Sequence, residues 1–186
     1  MISVFVDRDG VLNKRVVKGY VKKVSEFEWC PLALASLHLL NQFMCKIFIV
    51  TNQAGVGKGI MTLLDLHHIH EKLLQDVNQA GAKIEHIYFC THTKEENCNC
   101  RKPNAGLFIK AAKEYHLDLT KSILIGDSLT DIQAGKKVGC KTILVESCTK
   151  GMVNELEEKH LSIEPDWFEP NIWGAAVRVI RVIQNH

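Results

Sequence analysis

The 186-residue chain has 23 Lys and Arg residues against 21 Asp and Glu residues, a formal net charge of +2. Hydrophobic residues make up 46% of the chain and charged residues 24%, the balance of an ordinary globular protein of one domain. The near-neutral charge and the lack of a long basic run speak against a nucleic-acid partner. Recognition of a charged ligand would have to come from a few local residues.

The N-terminal segment, MISVFVDRDG, lacks the basic start, the long apolar stretch and the cleavage site of a signal peptide. Apolar runs such as residues 47–50 are too short to cross a bilayer. We therefore expect a monomeric cytoplasmic protein that binds neither membranes nor nucleic acid.

Short apolar runs alternate with amphipathic segments along the chain. Strands are predicted at residues 3–6, 46–50, 85–89, 122–125, 141–145 and 166–168. Helices are predicted at residues 32–43, 62–80, 105–115, 131–138 and 171–184. The charged residues 151–164 are expected to form a helix and a surface loop. Apolar strands separated by helices indicate an α/β protein, a doubly wound parallel sheet covered on both faces, in a single domain over residues 1–186.

Polar side chains follow several of these strands at the point where the strand ends. Asp7 and Asp9 come directly after the first strand, Thr51 and Asn52 after the second, and Asp127 after the fourth. In open parallel sheets, ligands bind at the carboxyl ends of the strands, near the point where the strand order reverses. The sequence therefore predicts one binding site at this edge of the sheet.

Four carboxylates are expected at this edge: Asp7, Asp9, Asp127 and Asp131. Carboxylates that meet in one place repel one another unless a cation lies among them, and hard oxygen ligands suit Mg²⁺. The plainer alternative is that Asp7 caps a loop and that Asp9 forms a turn with Gly10. The carboxylates from a second strand end favour the magnesium site.

A second group of residues indicates phosphate binding. The Thr51 hydroxyl, the Asn52 amide and loop N–H groups bind phosphate without adding charge, and Lys102 neutralises it. The alternatives are a polar turn and a solvated lysine. Residues 55–59, GVGKG, do not fit the GxxxxGK[ST] pattern of a nucleoside-triphosphate-binding loop, which excludes that class.

Residues 90–101 contain four metal-ligating side chains at short spacing: Cys90, His92, Cys98 and Cys100. This ligand set favours tetrahedral zinc, and a zinc site without an open position is structural. Unligated thiols and a redox pair are the alternatives, although Cys98-x-Cys100 lacks the two-residue spacer of a redox motif. Zinc would order this polar loop and would fix the neighbouring Arg101 and Lys102.

The other cysteines and a group of histidines have simpler interpretations. Four scattered cysteines are predicted to be buried and reduced: Cys30, Cys45, Cys140 and Cys148. Three histidines of the helix at residues 62–80 are predicted to be exposed rather than to form a second metal site: His67, His68 and His70.

Together these features resemble the haloacid dehalogenase superfamily of phosphohydrolases over residues 3–145. The motifs that carry the resemblance are residues 7–12 (DRDGVL), Thr51 with Asn52, Lys102, and residues 126–131 (GDSLTD), in this order. Each motif is weak alone, and their combination is specific. The resemblance implies a Rossmann-like core, an aspartyl-phosphate intermediate and catalytic Mg²⁺.

The resemblance also implies a role for each residue. Asp7 attacks phosphorus, while Asp9 protonates the leaving alkoxide and then deprotonates the attacking water. The ion is held by the Asp7 side chain, the Asp9 backbone carbonyl and Asp127, with Asp131 in support. The phosphoryl group is bound and oriented by three residues: Thr51, Asn52 and Lys102.

The motif Cys-x-His…Cys-x-Cys-Arg-Lys-Pro resembles that of one branch of the superfamily, whose members have little or no cap domain. This branch contains heptose bisphosphate phosphatases and histidinol-phosphate phosphatases. Asn13 with residues 19–21 and 26–28, and residues 51–55 with 58–59, resemble the heptose enzymes, which we favour. The short metal loop is more similar to the histidinol-phosphate enzymes. In an enzyme that removes the C7 phosphate of heptose 1,7-bisphosphate, Arg101 would hold the second phosphate. Ser128 departs from the basic residue often seen at this position in both groups.

Two rival functions are compatible with such a fold. A zinc-stabilised interaction module without catalysis is disfavoured because the full set of carboxylates and Lys102 is present. A phosphotransferase or mutase needs a cap that excludes water, and the spacing of the predicted elements leaves no room for one. We therefore predict a phosphatase that acts on a small phosphorylated metabolite.

Overall fold

A computed structural model describes residues 2–149 and 163–185. Its six strands are β1 (Ser3–Val6), β2 (Lys46–Asn52), β3 (His86–Cys90), β4 (Ile123–Gly126), β5 (Lys141–Val145) and β6 (Trp167–Glu169). They form one sheet in the order β3-β2-β1-β4-β5-β6, and all neighbouring strands are parallel. The strand order therefore reverses between β1 and β4, where the two halves of the sheet meet.

Within the described part of the chain, six α-helices connect or flank these strands. They are α1 (Ala33–Gln42), α2 (Ala54–Gly57), α3 (Leu63–Gln79), α4 (Gly106–Tyr115), α5 (Leu129–Lys137) and α6 (Ile172–Gln184). Two 3₁₀ turns lie at Val24–Glu26 and Leu119–Lys121. Across the described residues, no helix has the length and the apolar character that spanning a membrane requires.

The central strand β1 is buried on both faces of the sheet. Val4 and Val6 belong to the core that α1 and α6 cover. Phe5 points to the opposite face, where its ring centroid lies 5.5 Å from that of Phe48 and 5.1 Å from that of Phe108. A strand covered on both sides needs apolar residues at every position, which explains why β1 is a continuous apolar run. This packed strand fixes the position of the residues that follow it.

All six predicted strands and all five predicted helices outside residues 151–164 are confirmed, with ends that differ by no more than two residues. Helix α2 has no counterpart in the sequence-based prediction, because four residues are too few to show helical periodicity. The helix and loop predicted at residues 151–164 lie mostly outside the described residues. Between β1 and α1 the chain forms loops and a single 3₁₀ turn, as an essentially capless fold requires.

The prediction of four reduced cysteines is wrong for two of them. Cys30 and Cys148 form a disulfide, with their Cα atoms 5.8 Å apart. The two residues are 118 positions apart in sequence, so no local spacing could reveal the pair. The fold brings them together because the segment after β5 returns to the first loop, where the Cys148 N–H donates to the Gly10 carbonyl at 3.0 Å. Cys45 and Cys140 are free and buried, as predicted.

Candidate active site

The carboxyl ends of β1, β2 and β4 meet where the strand order reverses, and a cavity of about 340 Å³ opens there. All eight residues predicted for catalysis, phosphate binding and magnesium line this cavity. The convergence follows from the parallel sheet, because every strand in it delivers its carboxyl end to the same edge.

Lys102 lies at the base of the cavity between two carboxylates. Its Nζ donates to Asp7 Oδ1 at 2.7 Å, contacts Asp131 Oδ1 at 2.6 Å and donates to the Val50 carbonyl at 2.6 Å. Only 3% of Lys102 is exposed, so these partners replace its water almost completely. Although burial opposes its charge, the carboxylates of Asp131 and Asp7 raise the pKa of Lys102 to about 12. Lys102 therefore stays charged.

Asp7 and Asp127 are both buried at this edge. Burial raises the pKa of Asp7, and the Asp131 charge adds to this effect while Lys102 opposes it. Burial also raises the pKa of Asp127, to about 8, against the opposing charge of Arg15. Burial and the neighbouring carboxylates thus disfavour the charged forms of both groups, and a further cation among them would favour those forms.

The donor set suits a hard metal ion. Asp7, Asp127 and Asp131 each offer a carboxylate oxygen, and these oxygens lie within 4.8 Å of one another. Among the described residues, the buried Oδ2 atom of Asp127 has no hydrogen-bond partner. An orphaned buried carboxylate oxygen beside two further carboxylates is an arrangement that Mg²⁺ satisfies.

Arg15 is a site residue that sequence reasoning missed. Its Nη2 donates to Asp127 Oδ1 at 2.6 Å, and its Nε donates to the Asp9 backbone carbonyl at 2.7 Å. Arg15 lies in the loop after β1 and belongs to none of the recognised motifs. No signal in the sequence connects it with Asp127, which lies 112 positions away.

The Asp9 carboxylate accepts hydrogen bonds from three side chains. Arg8 Nη2 and Asn13 Nδ2 donate to Asp9 Oδ1 at 3.0 and 2.9 Å, and Gln53 Nε2 donates to Oδ2 at 2.7 Å. Burial opposes the charge of Asp9, but the Arg8 guanidinium and the two amides hold its pKa below the ordinary value. Asp9 is therefore ionised at neutral pH.

Arg8 is fully buried, and its second partner is His70. Arg8 Nη1 lies 3.1 Å from His70 Nε2, and burial together with the Arg8 charge lowers the pKa of His70 to about 3. The neutral ring therefore accepts the hydrogen bond. The prediction of an exposed His70 is wrong, because His70 lies on the buried face of α3 with Leu66 and Leu73. That helical spacing is the signal that could have identified it, while His67 and His68 are exposed as predicted.

The second strand end supplies Thr51 and Asn52. Thr51 is 1% exposed, and its hydroxyl oxygen accepts from Gln53 Nε2 at 2.9 Å. Asn52 bonds the backbone of Lys102 twice, because its amide donates to the Lys102 carbonyl and its oxygen accepts the Lys102 N–H, each at 3.0 Å. Asn52 therefore holds the segment that carries Lys102.

The four predicted zinc ligands lie together at the end of β3. Cys100 Sγ is 3.2 Å from Cys90 Sγ, 3.3 Å from Cys98 Sγ and 3.2 Å from His92 Nδ1. The four ligand atoms all lie within 4.8 Å of one another, as the corners of one tetrahedral site do. The Arg101 N–H points to Cys98 Sγ at 3.4 Å, so the cluster is tied to the segment that contains Lys102.

Two further predicted residues, Arg101 and Ser128, make hydrogen bonds near the cavity. Arg101 lines the cavity, and its Nη1 donates to the His92 carbonyl at 3.2 Å. The Ser128 hydroxyl and N–H both donate to the Asp131 carboxylate. Ser128 at this position therefore orients Asp131 at the start of α5.

Replacing Lys102 by Met should lower the free energy of unfolding by about 3 kcal/mol or more, because Asp7 and Asp131 would be left buried without their cation. The control is Lys94→Met, which removes one positive charge from an exposed position on the same cavity. Denaturant unfolding of both variants measures the difference. Equal stability of the two variants would contradict the structural role of Lys102.

The chain is similar in sequence to known proteins. Residues 99–175 match the HAD-hydrolase-like family. The chain is 34% identical over 170 residues to the D-glycero-beta-D-manno-heptose-1,7-bisphosphate 7-phosphatase of Helicobacter pylori, covering 90% of this chain and 97% of that protein. It is 38% identical to the D-glycero-alpha-D-manno-heptose-1,7-bisphosphate 7-phosphatase of Campylobacter jejuni, covering 77% and 81% of the two chains.

A solved structure is also similar. The D,D-heptose 1,7-bisphosphate phosphatase from B. bronchiseptica, complexed with magnesium and phosphate, superposes with a TM-score of 0.89 at 30% sequence identity. The superposition covers 98% of this chain and 99% of that one. With this identity and coverage, the chain belongs to the heptose-bisphosphate phosphatase family of the haloacid dehalogenase superfamily.

Proposed function

We propose that the chain is a magnesium-dependent phosphatase that removes the C7 phosphate of D-glycero-D-manno-heptose 1,7-bisphosphate through an aspartyl-phosphate on Asp7. The observation that carries the proposal is the contact between Asp7 and the buried Lys102 ammonium, 2.7 Å apart, at the base of a cavity open to solvent. Residues 1–186 would act as a single cytoplasmic phosphatase domain.

Asp7 is the proposed nucleophile. Its carboxylate oxygen attacks phosphorus and breaks the bond between phosphorus and the sugar oxygen, which leaves as an alkoxide. Water then attacks the aspartyl-phosphate, releasing inorganic phosphate and restoring the carboxylate. Lys102 stays bound to Asp7 Oδ1 and offsets the negative charge that gathers on the phosphoryl group, while Thr51 lines the same cavity.

Asp9 is the proposed acid and base. Its lowered pKa makes it a carboxylate in the free chain, so it must gain a proton before it can protonate the alkoxide. The charge of a substrate phosphate nearby favours this gain, because a neighbouring anion raises the pKa of a carboxyl group. After the leaving group departs, the ionised Asp9 takes a proton from the attacking water. Arg8, Asn13 and Gln53 hold its carboxylate in place for both steps.

The proposed magnesium ligands are the side chains of Asp7 and Asp127 and the backbone carbonyl of Asp9. The unpartnered Asp127 Oδ2 and the close carboxylate oxygens support this assignment. When bound, Mg²⁺ neutralises charge on the transferring phosphoryl group. Asp131 supports the site from behind by contacting Lys102 at 2.6 Å.

The proposed structural zinc site consists of Cys90, His92, Cys98 and Cys100. Three thiols and one imidazole within one sphere of ligand atoms support zinc rather than a hard ion. Because Arg101 and Lys102 follow Cys100 directly, ordering of this cluster would also order the phosphate-binding side chains.

The substrate experiment compares kcat/KM for heptose 1,7-bisphosphate, as its two anomers, with kcat/KM for histidinol phosphate. We expect a preference for the bisphosphate of about a hundredfold or more, because Arg101 on the cavity wall would lose its phosphate partner with the smaller substrate. A preference for histidinol phosphate would overturn the substrate assignment and leave the phosphatase assignment intact.

The zinc experiment uses Cys98→Ser. We expect the purified chain to hold about one zinc ion, and the variant to lose it on dialysis, to unfold at a lower temperature and to lose activity with it. Cys140→Ala is the matched control, because it removes a buried thiol outside the cluster and should keep the zinc. Metal analysis and thermal unfolding provide the readouts. Wild-type protein without zinc would overturn the assignment.

A further inference from the structure

We infer that the Arg15 guanidinium competes with Mg²⁺ for the same three groups, so that Arg15 lowers the metal affinity of the site and the ion must displace it. This inference rests on the magnesium site of the proposed function. It adds a residue that none of the recognised motifs contains.

The contacts of Arg15 coincide with the proposed ligand set. Nη2 lies 2.6 Å from Asp127 Oδ1 and 4.0 Å from Asp7 Oδ2, and Nε lies 2.7 Å from the Asp9 backbone carbonyl. All three groups assigned to the ion therefore face one guanidinium. Two of the three contacts are short hydrogen bonds with good donor–acceptor distances.

A guanidinium and a divalent ion exclude each other at these groups. Both would use the Asp9 carbonyl oxygen, and Arg15 also holds Oδ1 of the Asp127 carboxylate, whose Oδ2 is assigned to the ion. Mg²⁺ requires its oxygen ligands at about 2.1 Å. A guanidinium that donates to this carbonyl oxygen and to the other oxygen of the Asp127 carboxylate would place two positive charges close together in a buried site, where they repel strongly. Metal binding and the Arg15 contacts are therefore alternative states of one site.

The surroundings of Arg15 allow the exchange. Its backbone N–H donates to Thr149 Oγ1 at 2.7 Å, so the main chain is held while the side chain has its own freedom. The side chain is 28% exposed and borders the cavity of about 340 Å³, which offers space for the displaced guanidinium.

Arg15 has opposite effects on the stability of the metal-free fold and on the affinity for Mg²⁺. Without the ion, Arg15 offsets the repulsion among Asp7, Asp127 and Asp131, and so stabilises the fold. When Mg²⁺ binds, those contacts are lost, and the free energy of losing them weakens metal binding. Removal of the guanidinium should therefore weaken the metal-free fold and strengthen metal binding.

The test is calorimetric titration of Mg²⁺ into the zinc-loaded wild-type chain, Arg15→Met and Arg15→Lys. We expect Arg15→Met to bind Mg²⁺ about tenfold more tightly or better, since two charge-assisted hydrogen bonds no longer compete. Arg15→Lys should fall between the two, because one ammonium cannot bridge both oxygens as the planar guanidinium does. Lys94→Met is the control for loss of charge at the same cavity and should not tighten binding.

Thermal unfolding gives a second readout that does not depend on activity. In magnesium-free buffer, Arg15→Met should unfold at a lower temperature than wild type. Saturating Mg²⁺ should reduce this difference in unfolding temperature. Arg15→Gln replaces Arg15→Met if the latter does not fold.

The outcomes separate the two proposals. If Arg15→Met binds Mg²⁺ no more tightly than Lys94→Met, the competition is overturned and the magnesium site stands. If neither wild type nor the Arg15 variants bind Mg²⁺, the magnesium site of the proposed function is overturned, and the inference fails with it.

Discussion

The Lys102 ammonium, buried between Asp7 and Asp131, is the interaction on which the rest of the site depends. A buried charge is costly by several kcal/mol unless it is paired and hydrogen-bonded, and here two carboxylates and the Val50 carbonyl satisfy it. These partners come from β1, β2 and the start of α5, so they meet only when the parallel sheet has formed. The same electrostatic constraint holds Asp7, the proposed nucleophile, beside the Lys102 cation.

The metal-ligand cluster and Lys102 are parts of one segment. Arg101 lies between Cys100 and Lys102, and Asn52 fixes the Lys102 backbone with two hydrogen bonds of 3.0 Å. The cluster at the end of β3 and the amide at the end of β2 therefore position the lysine from two sides. A site that must bind a phosphoryl group needs such rigidity, because small displacements of a charged group cost rate.

The sequence was sufficient for the sheet and for the residues that follow the strands, because buried parallel strands are continuous apolar runs and their ends converge by geometry. It could not identify contacts between distant loops. Arg15 reaches Asp127 across 112 positions, and Cys30 reaches Cys148 across 118. Neither pair leaves a local pattern. The burial of His70 did leave a local pattern, because the histidine shares the apolar face of α3. The polarity of its side chain nevertheless suggested an exposed position.

The proposed mechanism requires a covalent intermediate on Asp7, which mass spectrometry can detect in protein quenched during turnover of heptose 1,7-bisphosphate. We expect a phosphoryl group on the peptide that contains Asp7. An Asp7→Asn variant that folds normally and keeps its zinc should show neither this group nor steady-state hydrolysis. Continued hydrolysis by Asp7→Asn, or a phosphoryl group on a different residue during turnover, would contradict a covalent intermediate on Asp7.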